Sequence, residues 1–89
     1  MERSEFIREV EHWSKVTGLK PKDIHIRRMV KKWGSCSSRG RLTFNSSLLD
    51  EDKRIRDQVI VHELLHIRYA SHSKMFKALM RMYTEGLNE

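Results

Sequence analysis

Residues 59–76 read VIVHELLHIRYASHSKMF, and this stretch concentrates the side chains that could do chemistry. His62 and His66 are four apart, so on a helix they stand one turn above the other with their rings on one side. Glu63 projects from a neighbouring part of that surface. Two neutral imidazoles at i and i+4 with a carboxylate beside them are what a catalytic zinc requires: nitrogen ligands for the ion and a base for the water it activates. Six residues after His66 comes His72, where the helix is expected to stop. A catalytic zinc takes three protein ligands and keeps one position open, and His72 can supply the third.

The elements that must position these groups are few. The chain has 89 residues, read as one small domain over 1–89, with 18 Lys+Arg against 12 Asp+Glu and a formal net charge of +6. It has no apolar run long enough to span a bilayer, and MERSEFIREVEHW at its start is charged rather than signal-like. The one cysteine, Cys36, excludes an internal disulfide and suits a reducing compartment, so a cytoplasmic protein with no membrane partner is expected. A core of this size is marginal by itself, and a bound metal should contribute to folding.

Phe6, Val10, Trp13 and Val16 recur at helical spacing, predicting a helix over 3–17 with Ser4 as N-cap and Gly18 as its stop. His12 lies off that stripe and should be exposed. Ile24, Ile26 and Val30 share a parity, which suggests a strand over 24–33 with a bulge near Arg27–Met29. GSCSSRG (34–40) is turn chemistry, and RLTFN (41–45) alternates, so 24–45 reads as a β-hairpin with a long connection. Acids Asp50, Glu51 and Asp52 precede a helix expected to run to about Ala70, with an apolar face of Ile55, Val59, Ile60, Leu64 and Ile67. Ser71 or Ser73 can cap a final helix carrying Phe76, Leu79, Met80, Tyr83 and Leu87.

From Arg28 to Phe76 the chain resembles the small YgjP-like metallopeptidases, neighbours of the SprT/Spartan-type and WLM zinc peptidases. Trp33-Gly34-Ser35-Cys36 matches their Trp-Gly-Ser-Cys turn, and Arg41–Asn45 matches the strand and Asn that follow. The helix motif and His72-Ser73-Lys74-Met75-Phe76, their His-Ser-x-x-Phe segment, complete the match. The resemblance implies an α+β, minimal zincin-like domain: an N-terminal helix, a small antiparallel sheet or hairpin, an active-site helix and a C-terminal backing helix. It implies His62, His66 and His72 as ligands of Zn2+, Glu63 as the catalytic residue, and a protein or peptide substrate. In zincins the substrate lies extended along an edge strand above the cleft. By that analogy Leu42, Thr43 and Phe44 should pair with it, and Asn45 should end near the metal. YgjP-like domains usually carry more sheet ahead of the Trp-Gly-Ser-Cys turn. Metzincins, which share the six-residue step between histidines, have Gly midway where Tyr69 stands here. Thermolysin-type enzymes instead recruit a glutamate from the helix after the motif, which makes Glu85 the competing third ligand.

Between Ile24 and Leu49 stand six bases, Arg27, Arg28, Lys31, Lys32, Arg39 and Arg41, and no acid. They read either as a solvated hairpin whose edge is protected from aggregation or as an electrostatic footprint for nucleic acid or another polyanion. The rival to a peptidase is therefore a basic nucleic-acid-binding module with a structural or vestigial metal. Glu63 argues against it, because a structural site needs no general base. A hydrolase of some non-peptide amide would use the same residues. Cys36 reads as a small residue of the turn or as a thiolate able to reach the metal. Nothing in the pattern gives Trp33-Gly34-Ser35 a task beyond shaping that turn.

Overall fold

The structure, a computed structural model, describes residues 1–85; the expected contribution of Leu87 lies outside them. Three helices, α1 (Arg3–Thr17), α2 (Lys53–Leu65) and α3 (Lys74–Glu85), enclose a sheet of three short strands, β1 (Asp23–Arg27), β2 (Gly34–Cys36) and β3 (Arg41–Asn45). The fold is α+β.

Helix α1 forms around the expected stripe and buries Phe6, Val10 and Trp13, while Gly18 ends it in the left-handed conformation at φ 74°. Its cap is Glu2 rather than Ser4: Glu2 and Glu5 make a reciprocal capping box, so the first turn is satisfied without the serine. His12 is exposed.

The sheet corrects the hairpin reading of 24–45 and, with it, the antiparallel sheet. β1 pairs with β3 in parallel, Asp23 opposite Arg41 through Arg27 opposite Asn45, and β2 pairs with β3 antiparallel. The order is β1-β3-β2. β3 takes the centre because it is the strand whose Leu42 and Phe44 are both fully buried. β1 hides only Ile24 and Ile26, and those partly, so it serves as an edge. The strand stops at Arg27. Residues 28–33 then form a loop in which Val30 is 92% exposed, not a bulged continuation. The true hairpin is β2 with β3, and Gly34–Cys36, expected as turn, is itself a strand. Its turn is Ser37–Gly40, where Gly40 adopts φ 86° and its N–H donates to the Ser37 carbonyl at 3.0 Å.

Asn45 caps a 3₁₀ turn, Ser46–Asp50, and Asp52 caps α2 by accepting from the Ile55 N–H at 3.0 Å. The buried face of α2 is Ile60, Val61, Leu64 and Leu65; Ile55, Val59 and Ile67 are only partly covered. The helix ends at Leu65 instead of Ala70. Tighter bonds close it, Ile67 N–H to Leu64 and Arg68 N–H to Leu65, and turn the chain toward His72. Ser73 Oγ accepts from the Phe76 N–H at 3.3 Å and starts α3.

The core joins α1, β3, α2 and Phe76, with the Phe6 and Phe44 rings edge-to-face at 5.1 Å. Two polar ties hold α2 to α1. Asp57, 2% exposed, accepts from the Trp13 indole N–H at 2.8 Å and from Lys53 Nζ at 2.6 Å. Arg56 Nε reaches Glu9 at 2.8 Å. A buried carboxylate with two donors is satisfied, and it fixes the rotation of the helix that carries His62, Glu63 and His66. Among the described residues no helix is long and apolar enough to cross a membrane.

Candidate metal centre

α2 and its C-cap residue deliver His62 and His66 to one side of the cleft, and the turn that follows brings His72 over them. His66 Nε2 lies 3.2 Å from His62 Nε2 and 3.0 Å from His72 Nε2. The ligand atoms of the three all fall within 4.8 Å of one another. Three nitrogens about 2.0–2.1 Å from a tetrahedral ion stand roughly 3.3 Å apart, so the spacing and the all-imidazole donor set fit a zinc-like divalent ion. Glu85, exposed at the end of α3, is not in this group.

The rings are oriented from two sides. His66 Nδ1 sits 3.0 Å from the Tyr69 carbonyl. A carbonyl only accepts, so Nδ1 carries the proton and Nε2 presents its lone pair. No glycine is needed at position 69: the turn is held by Tyr69 N–H to Leu65 O at 2.8 Å as well as by that carbonyl. Phe76, 2% exposed, lies beneath all three imidazoles, its ring centroid 4.7 Å from His66, 4.9 Å from His72 and 5.2 Å from His62. Sequence reasoning counted it only as core. Its place in the His-Ser-x-x-Phe segment is the signal the sequence offers, and the structure supplies the reason. Burial, followed by the other two histidines, lowers the His62 pKa and favours the neutral ligand form.

Glu63 is 6% exposed, and burial pushes its carboxyl up to about 7, with Lys32 opposing the rise. A group near neutrality can both take and return a proton. Gly34 packs directly on it. A Cβ at position 34 would lie 3.1 Å from Glu63 Cγ, 3.4 Å from Oε2 and 3.0 Å from the Thr43 carbonyl. This gives the Trp-Gly-Ser-Cys segment the task that sequence could not: it lets a strand pass within contact of the carboxylate.

A hollow of about 580 Å³ spreads between β2 and the histidines, with Glu63 in its floor. Cys36 lines it, but burial and then Glu63 raise its thiol pKa, which holds it protonated, and it is not in the ligand group. The expected substrate strand is corrected here. β3 is bonded on both sides, so Leu42, Thr43 and Phe44 have no free edge, and Leu42 and Phe44 are core. Asn45 is also spoken for: its amide donates to the carbonyls of Met29 at 2.9 Å and Lys32 at 2.8 Å and accepts from Ser47 N–H at 3.1 Å, pinning the 28–32 loop. The edge facing the hollow is β2. Asn45 N–H to Trp33 O and Ser37 N–H to Arg41 O mark the bonded pairs of the hairpin. By antiparallel alternation Gly34 and Cys36 therefore turn their N–H and C=O groups away from β3, toward open space.

The bases divide. Arg27, Arg28, Lys31 and Lys32 cluster at the Asn45 end of the sheet, all exposed. Arg39 and Arg41 stand at the opposite end, where Arg41 lies 3.4 Å from Asp23. They do not form one continuous stripe.

Fold and centre together are those of a metal-dependent peptidase, and a family profile described as "YgjP-like, metallopeptidase domain" matches residues 2–89. The chain belongs to the YgjP-like metallopeptidase family. Its fold is similar to the metallopeptidase zymogen abylysin of Pyrococcus abyssi, with TM-score 0.75, 20% identity, and coverage of 85% of this chain and 76% of that one. It is similar also to the metallopeptidase zymogen jannalysin of Methanocaldococcus jannaschii, with TM-score 0.69, 22% identity, and coverage of 93% and 82%. No curated protein matches it.

Proposed function

We propose that this domain is a zinc peptidase in which His62, His66 and His72 hold the ion and Glu63 is the general base. The convergence of three imidazole nitrogens beside a buried carboxyl carries the reading. Zinc, when bound, supplies the double positive charge that acidifies water and polarises a carbonyl oxygen. Glu63 takes the proton of the attacking water and returns it to the leaving amine. Its burial leaves little of the carboxyl to bulk solvent, and Gly34 keeps it against the strand. An extended substrate adds to the β2 edge through the outward groups of Gly34 and Cys36.

The test is Glu63→Gln beside His72→Ala, with zinc content and hydrolysis of an unfolded protein measured together. Glu63→Gln should keep about one zinc per chain and lose cleavage. His72→Ala should lose zinc and unfold at lower temperature. Full activity in the first or unchanged zinc in the second refutes the assignment of that residue. The exposed bases of the 28–32 loop support a second role in holding nucleic-acid-associated substrates. Binding to DNA that weakens steeply with salt would support it.

A further inference from the structure

We infer that a second hollow beside the metal centre selects the substrate: it receives a bulky apolar side chain adjoining the scissile bond, while the loop above it favours acidic residues alongside. The inference rests on the peptidase reading and deepens it.

The hollow, about 480 Å³, opens between the loop leading into β2 and the outer face of α2. Trp33, Val59 and Met80 wall it, and it shares His62, Glu63 and Gly34 with the larger cleft. A polypeptide laid along β2 and crossing Glu63 thus arrives at this hollow at the Gly34 end. Its volume accommodates a Leu or Phe side chain against Trp33, Val59 and Met80, with Lys32 and Gln58 also on the lining. Val59 belongs to the apolar pattern of α2 yet is left half-covered, and Trp33 remains 43% exposed. Both are apolar groups that the fold does not bury, set next to the reacting position.

One cation lies on the rim: Lys32 lines this hollow, and Lys31 stands with it and Trp33 around a neighbouring one. Both lysines are exposed and take part in none of the ion pairs among the described residues. The loop that carries them is held in shape by the Asn45 amide. Cations on a braced loop beside Trp33, Val59 and Met80 attract a segment in which an apolar residue is followed or preceded by acids.

The experiment uses zinc-loaded protein and synthetic peptides that differ only in the residue adjoining the cut, Phe against Ala, and in flanking residues, Glu against Lys. The Phe peptide should have a kcat/KM about tenfold or more above the Ala peptide. Glu flanks should lower KM, with the advantage shrinking as salt rises. Val59→Trp fills the slot and should abolish or invert the Phe preference. Trp33→Ala, at an exposed position, should weaken that preference, and Lys31→Glu with Lys32→Glu should reverse the flank preference. Zinc content and melting temperature show that each variant is folded. Cleavage that ignores the adjoining residue, or a preference unchanged in both Val59→Trp and Trp33→Ala, overturns this inference and leaves the peptidase standing. Absence of any cleavage by the zinc-loaded parent overturns both.

Discussion

Adding one methyl group at Gly34 is a sharp probe of how the carboxylate is placed. The Cβ of Gly34→Ala would sit 3.1 Å from Glu63 Cγ and 3.0 Å from the Thr43 carbonyl. Carbon atoms settle at about 3.5–4.0 Å, so a separation of roughly 0.5 Å must be found. Thr43 is in the central strand and cannot retreat; Glu63, at the cleft, can. Overpacking of this kind costs about 1–3 kcal/mol, offset by about 0.4–1 kcal/mol because Ala restricts the unfolded chain. The net loss of about 1–2 kcal/mol corresponds to a fall of roughly 5–15 °C in melting temperature for a chain of this size. Catalysis should suffer more selectively. A 1 Å misplacement can cost about 100-fold, so half of that predicts about tenfold in kcat with zinc content unchanged. Steady-state kinetics on a peptide substrate, with metal analysis of the same sample, reads both. A double-variant cycle isolates the cause: in a Glu63→Ala background, which lacks Cγ, the Gly34→Ala penalty should shrink by about 1 kcal/mol. Wild-type kcat in Gly34→Ala, or an undiminished penalty in that background, would refute the argument that this glycine exists to admit Glu63.

Phe76→Leu keeps an apolar residue but removes the ring under the three imidazoles, and competition with a chelator should show zinc affinity lowered about tenfold or more. Asp57→Ala strands the Trp13 indole N–H and frees Lys53, so chemical unfolding should register a loss of about 2–4 kcal/mol. Glu63 starts from an ordinary 4.5 and is raised to about 7 by burial. The folded chain therefore keeps a proton that the unfolded chain has lost, and metal-free stability falls as pH rises through that interval and is flat above it. Glu63→Gln removes this dependence. Allowing for solvent in the cleft, chelator-treated variant should be more stable than the parent by about 1–3 kcal/mol at about pH 8 and by much less at about pH 5. A gap that does not widen with pH would count against the burial argument.

What could be read from the sequence was what depends on local spacing. His62 and His66 share a side because a helix has 3.6 residues per turn, and the Phe6-Val10-Trp13 stripe follows the same rule. Gly18 could be read as a stop because a left-handed residue there has few alternatives. Strand partnership had no such local code. Ile24 and Ile26 alternate equally well in a parallel or an antiparallel pair, and the buried Leu42 and Phe44 mark β3 as central without fixing the direction of its partner. Glycine and serine make β2 look like turn, since the reason for a glycine at 34 is a contact with Glu63, 29 positions away. Asp57 would pass for a solvated helix residue; its burial depends on Trp13, 44 positions distant. Asn45 was noticed, but its neighbours across the loop were not, and they turn a supposed substrate contact into a brace.

The shortness of β2 has a consequence for grip. Only Gly34 and Cys36 offer outward backbone groups, one donor and one acceptor each. Four such bonds at about 1 kcal/mol apiece correspond to millimolar binding at best. So small a ledge cannot retain a peptide by its main chain, and it also gives neighbouring copies little to stack upon. Under the proposed strand addition, discrimination resides in side chains, and the reading predicts long, loosely structured polypeptides, held at several places, as better substrates than short peptides.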